Sequence, residues 1–203
     1  MALNTWLVYL AAATALSLTP GPNGLLALTN GALYGPRKTL FVVLGGALGF
    51  TAVIGLSMVG ISTLLQASAS LLTVMKWLGG AYIVWLGVQV WRSPAPRLEL
   101  TEKSQTPHGF ILFRQGFLSA LSNPKAILFF GAFLAQFIDP QRNLFVQFAI
   151  MAATFVLIEI ITEVVIAHLA SRTRAWLERS GRRFNQVCGG LFVLIGISLP
   201  LSR

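Results

Sequence analysis

The chain is a succession of long apolar stretches joined by short polar ones. Apolar residues dominate 4–33, 40–65, 71–91, 110–137, 144–170 and 186–201, and the joining segments hold most of the charges. A hydrocarbon core about 30 Å thick is crossed by roughly 20 apolar residues in a helix. The pattern therefore predicts an all-α integral membrane protein with six transmembrane helices. A membrane barrel would show short alternating segments separated by turns, and the chain does not. The first stretch has no basic residue before Arg37 and is too long for a cleaved leader, so it is expected to be retained.

Composition agrees with the pattern: of 203 residues, 55% are hydrophobic and 10% charged. A net charge of +9 would suggest nucleic acid in a soluble protein, but here it sorts by side. Eleven basic residues fall in the joints on one face: Arg37, Lys38, Arg92, Arg97, Lys103, Arg114, Arg172, Arg174, Arg179, Arg182 and Arg183. Three, Lys76, Arg142 and Arg203, fall on the other. Basic short loops stay cytoplasmic, so both termini are expected outside, and no nucleic-acid partner is expected. Lipid is the surrounding partner, and the run SRTRAWLERSGRR, 171–183, has the character of a segment lying on the anionic inner surface or of a solvated loop.

Shifting the chain by 104 residues places Pro20 on Pro124 and Pro36 on Pro140, and KWLGGAYIVWLG, 76–87, resembles NQVCGGLFVLIG, 185–196. This reads as a duplication, of 1–91 and 110–203, joined by a cytoplasmic linker at 92–109 within a single transporter domain. Three spans per half is an odd number, so the halves are expected to be inverted. Inverted 3+3 repeats are typical of secondary transporters, whose substrate site lies where interrupted helices meet near the midplane.

Two interruptions are visible. SLTPGPNG, 17–24, breaks the first span and SNPKA, 122–126, the fourth, each at mid-span. Proline has no N–H and clashes with the carbonyl four residues back; Pro20 thus frees the carbonyl of Leu16, Pro22 that of Leu18 and Pro124 that of Ala120. Gly21 eases local unwinding. Unpaired backbone groups survive at membrane depth only inside protein or beside a wet cavity. The half-helix beginning near Asn23 offers free N–H groups and a positive dipole end to an anion such as a carboxylate. Thr19, Asn23, Ser122 and Asn123 add neutral hydrogen-bonding groups. These residues, with Pro20, Gly21, Pro22 and Pro124, make up the expected substrate site.

Lys125 follows the second break. A lysine at the bilayer centre costs at least about 2.5–3.5 kcal/mol on insertion scales, so it is expected either to pair with an internal carboxylate or to receive a substrate carboxylate. Glu159 and Glu163, four apart on one face of the fifth span, are the only acids inside a span. They are candidates for carrying a proton or holding an ammonium group. The glycines of the second and third spans, Gly45, Gly46, Gly49, Gly55, Gly79, Gly80 and Gly87, read as close helix packing, and such faces permit a homodimer. Cys188 is the only cysteine, and His108 and His168 have no second ligand at metal-binding spacing. No metal, cofactor or catalytic residue is expected.

TPGPN at 19–23, KWLGGAYIVWLG at 76–87 and NPKA at 123–126 resemble the LysE/RhtB family of bacterial amino-acid exporters, in order and spacing across the whole chain. The third-span stretch is most similar to the homoserine and homoserine lactone branch, then to the leucine and threonine exporters. The resemblance implies an inner-membrane exporter of amino acids or close derivatives, driven by the proton motive force. It also implies an acid in the second span, where this sequence has Phe50, and an acid in the fifth, where it has Glu159. Among rivals, an electron-conducting membrane protein would need paired cysteines. An exporter of another small solute or of a divalent cation would rest on Glu159 and Glu163 alone, and a membrane enzyme lacks a nucleophile and base pair.

Overall fold

A computed structural model describes residues 1–19, 21–67, 69–92, 107–170, 180, 182, 183, 185–187, 189–194 and 197. Pro20, the linker at 93–106, the arginine run at 171–179, Cys188 and the end of the sixth apolar stretch lie outside the described residues. Among the described residues every regular element is helical. They are α1 (Leu3–Leu18), α2 (Pro22–Tyr34), α3 (Pro36–Ala67), α4 (Ala69–Arg92), α5 (Gly109–Leu121), α6 (Pro124–Phe133) with a 3-10 turn at Leu134–Gln136, and α7 (Leu144–His168). A short apolar helix, α8, follows at Asn185–Leu194.

Among the described residues, two helices are long and apolar enough to cross a membrane by themselves, Pro36–Ile61 within α3 and Leu144–His168. Gly109–Leu121 with Pro124–Gln136 forms a third candidate, bent by 46° at the break. The helices start and stop where local chemistry dictates. Pro22 and Pro124 each stand in the first turn of a new helix, where the missing N–H costs nothing. Asn123 caps α6 through its side chain and Asn143 caps α7. Gly35, at φ +76°, turns the chain from α2 into α3 in a conformation that Cβ-bearing residues resist. His108 caps α5 by accepting from the Phe110 N–H, and the His168 ring lies 2.8 Å from the Val164 carbonyl. Pro140 falls in the turn before α7, whereas Pro36 opens α3.

Polarity is inside out relative to a soluble protein. Along α7, Gln147, Met151, Phe155, Glu159, Glu163 and Ala167 are buried, while Phe145, Leu157, Ile161 and Val165 are exposed. An apolar exterior around a polar stripe suits lipid as solvent. Close approach is built from small residues. A Cβ on Gly45 would collide with the Phe113 carbonyl and one on Gly116 with that of Val42, while one on Gly49 would stand 2.7 Å from Ala120 Cβ. Gly45 and Gly49 of α3 therefore cross Gly116 and Ala120 of α5 backbone to backbone, as small-xxx-small pairs do. Gly87 meets Gly189 in the same way and joins α4 to α8. Gly55 makes only ordinary contact with Phe148, and Gly46 serves another purpose described below.

The core holds a continuous run of rings: Tyr9 on Phe137, Phe137 on Phe133, Phe133 on Phe129, Phe129 on Phe130, Phe130 on Phe155 and Phe155 on Phe50, with centroids 4.5–5.2 Å apart. It ties α1, α3, α6 and α7 together. Phe50, where the family resemblance implied an acid, is part of this stack.

Candidate functional site

Both breaks end in the same place. α1 stops at Leu18: the Thr19 N–H still bonds to the Ala15 carbonyl at 3.1 Å, but Pro20 and Pro22 have no N–H to carry the ladder on, and Gly21 is extended at φ −143°. The carbonyl of Leu16, expected to be freed by Pro20, accepts from Lys125 Nζ at 2.8 Å, and the Thr19 carbonyl accepts from the same ammonium at 2.9 Å. The carbonyl of Ala120 is taken up locally by the Asn123 N–H at 3.2 Å. The second break thus closes on itself, and the first is closed by a side chain from the second.

Lys125 is placed for this by its own helix start. Asn123 Oδ1 accepts from the Lys125 N–H at 3.1 Å, fixing the first turn of α6. The side chain then runs across Gly21, where a Cβ would stand 3.0 Å from Nζ. A side chain at position 21 would press on the ammonium and shift it. Glu159 and Glu163 lie within electrostatic reach of the ammonium, and Glu159 and Glu163 of each other. Both acids are buried, at 6% and 1% exposure.

Asn23, in the first turn of α2, is 1% exposed. Its Oδ1 accepts from Ser119 Oγ of α5 at 2.7 Å, while its Nδ2 is turned to the Glu163 carboxyl without closing a short hydrogen bond among the described residues. One oxygen of each glutamate, Glu159 Oε2 and Glu163 Oε1, is likewise without a short hydrogen bond there. Asn23 Nδ2 and the Glu163 carboxyl converge over Gly46, whose missing Cβ would lie 2.8 Å from the first and 3.6 Å from the nearer oxygen of the second. Gly46 makes room for polar groups rather than for a helix. Ser17 stands beside Glu159 and donates to Thr162 Oγ1 at 3.1 Å.

Of the sequence candidates, Gly21, Asn23, Lys125, Glu159 and Glu163 meet in one buried cluster, with Thr19 contributing its carbonyl. The Thr19 hydroxyl bonds back to Ala15, and Asn123 is engaged as a cap. Ser122 is exposed, its hydroxyl donating to the Leu118 carbonyl at 2.6 Å, and Pro22 and Pro124 are exposed as well; the structure does not bring these three into the cluster. Pro20 lies outside the described residues. Sequence reasoning missed Ser17, Gly46, Ser119 and Thr162. Ser17 and Ser119 do lie just ahead of the two breaks, a placement that could have flagged them; nothing local singles out Gly46 from the other glycines.

Such a cluster holds two carboxyls, an amide, and one ammonium seated on two backbone carbonyls inside an apolar bundle, and among the described residues no arrangement for bond making. Residues 14–203 match the family described as LysE type translocator. The chain belongs to that family. As a translocator it is a membrane transporter and not an enzyme. It is 36% identical to an uncharacterized membrane protein of Vibrio cholerae, with both chains covered in full. It is 33% identical to the homoserine/homoserine lactone efflux protein of Salmonella typhimurium, over 100% of this chain and 99% of the relative. It is 32% identical to the leucine efflux protein of an Enterobacter species, over 77% of this chain and 74% of the other. No solved structure matches this translocator.

Proposed function

We propose that the protein exports a small amino acid or close derivative, of the homoserine, homoserine lactone, threonine or leucine kind, by proton antiport across the bacterial inner membrane. The observation that carries this reading is the meeting of buried Asn23, Glu159 and Glu163 with the half-buried Lys125 at the two helix breaks. The names of the efflux relatives supply the substrate class and the direction.

In this reading the six apolar stretches are six spans in two inverted halves, with both termini outside. Pairings repeat across the halves in support of it: α3 packs on α5 and α6, as α7 packs on α1 and α2. The substrate's carboxylate goes to Asn23 Nδ2 and the N-terminal end of α2, where donors and dipole favour an anion. Its ammonium goes to the carbonyls ending α1 and to Glu159. A carboxylate that binds an ammonium cannot hold a proton at the same time. Competition for Glu159 is therefore enough to make loading with substrate and loading with a proton exclude each other, which is the condition for antiport. The ring stack around Phe130 and Phe155 lies outward of the acids in this topology, and the smaller contact of Leu28, Ile166 and Ala170 lies on the cytoplasmic side. Rocking of one half against the other would open these seals in turn.

Purified protein in vesicles loaded with labelled homoserine, threonine or leucine is expected to release at least one of them when a pH gradient is imposed. Absence of release over a broad amino-acid panel would overturn the reading.

A further inference from the structure

A primary ammonium buried in a protein is held by two or three oxygen acceptors and a balancing negative charge. The site contains such a set already filled. Lys125 Nζ sits on the Leu16 and Thr19 carbonyls at 2.8 and 2.9 Å, with Glu159 and Glu163 as its electrostatic neighbours. These are the groups available to the ammonium of a bound amino acid. The Asn23 amide, which suits the other end of a zwitterion, has its Nδ2 turned to the Glu163 carboxyl without a short hydrogen bond.

We propose that Lys125 is a tethered stand-in for the substrate's ammonium, and that substrate binds by displacing it. The proposal rests on the amino-acid reading given above. The consequence is mechanical as well as chemical. Lys125 belongs to the start of α6 and its acceptors to the end of α1, so in the empty protein the ammonium fastens one break to the other. Gly21 leaves the passage through which the side chain reaches across. When an incoming ammonium takes over the carbonyls, the fastening is released and α1 and α6 are free to part. The empty protein stays closed and passes no protons. Lys125 acts through this displacement as a positioning residue, and the substrate is required to carry a primary amine.

The test uses the unaltered protein. Lys125 acetylation by acetic anhydride, read by peptide mass spectrometry and normalised to the exposed Lys38, is measured with and without whichever of homoserine, threonine or leucine the vesicles release. A several-fold rise in Lys125 labelling with substrate is the expected result. Unchanged labelling or protection would overturn the proposal, protection showing that Lys125 contacts substrate directly. If no amino acid is released at all, it is the functional reading that fails, and the stand-in falls with it. A second measurement follows proton flux without substrate. Lys125→Met and Gly21→Ala vesicles are expected to admit protons several-fold faster than wild type and Lys125→Arg vesicles. Variants as tight as wild type would contradict the fastening role.

Discussion

Asn23 shows how a single side chain can join two halves of a chain. Its Oδ1 is anchored to Ser119 of α5, and its Nδ2 is left facing Glu163 of α7 over the bare backbone of Gly46. A methyl group at position 46 would intrude to 2.8 Å from that nitrogen. Gly46→Ala is therefore expected to lower export by about ten-fold, the scale of losing one hydrogen bond, while the purified protein keeps its thermal stability; full activity would remove Asn23 Nδ2 from the path. Glu159→Gln keeps size and polarity but can neither take up a proton nor balance the charge of an ammonium. Its expected signature is that counterflow of labelled against unlabelled amino acid is weakened but persists, while release no longer responds to a pH gradient. Unchanged response would remove Glu159 from the coupling. The sequence made part of this legible. Prolines inside apolar stretches and the lone pair of acids in a span announce themselves, because each is costly in lipid unless it has a use. Gly46 does not, since nothing in GGALG separates a glycine that admits a neighbouring helix from one that admits a side chain.

Among the elements, the α3–α5 crossing is where small residues do most. The carbonyls of Val42 and Phe113 occupy the places that Cβ atoms of Gly116 and Gly45 would need. In lipid there is little hydrophobic gain from bringing two helices together, so packing at such a crossing carries the association. Gly45→Ala must separate the helices, and a cost of about 1–3 kcal/mol is expected, as for overpacking generally. Gly55→Ala on the same helix meets only Phe148 at ordinary contact distance and should stay within about 0.5 kcal/mol of wild type. Thermal unfolding in detergent separates the two; equal losses would mean that the crossing is not what holds α3 in place. Helix existence was readable from apolar length, and the starts of α2 and α6 from Pro22 and Pro124. The geometry of the breaks was not readable: the second bends by 46° and closes on itself, and the first is filled by a lysine more than a hundred residues away in sequence.

At the scale of the whole molecule the claim with most consequence is inversion, and two exposed residues decide it. Lys38 and Arg142 are matched by the same 104-residue shift that pairs the prolines. Lys38 lies in the first turn of α3, and Arg142 lies in the turn before α7 beside Asp139, its side chain 55% exposed. A parallel duplication would put these mates on one side of the membrane, whereas an inverted one puts them on opposite sides. In the proposed topology, the excess of basic residues on the Lys38 side puts that side in the cytoplasm. In a Cys188→Ser background, Arg142→Cys is therefore expected to react with an impermeant maleimide in intact cells, and Lys38→Cys only after permeabilisation. Labelling of both from the same side would exclude the inverted arrangement. Labelling of Lys38→Cys alone in intact cells would keep the inversion but reverse its sense, so that the aromatic stack of Phe130 and Phe155 would close the cytoplasmic mouth and the thin contact of Leu28 with Ala170 the outer one. The two seals differ enough in buried bulk that their assignment sets which opening is the harder step.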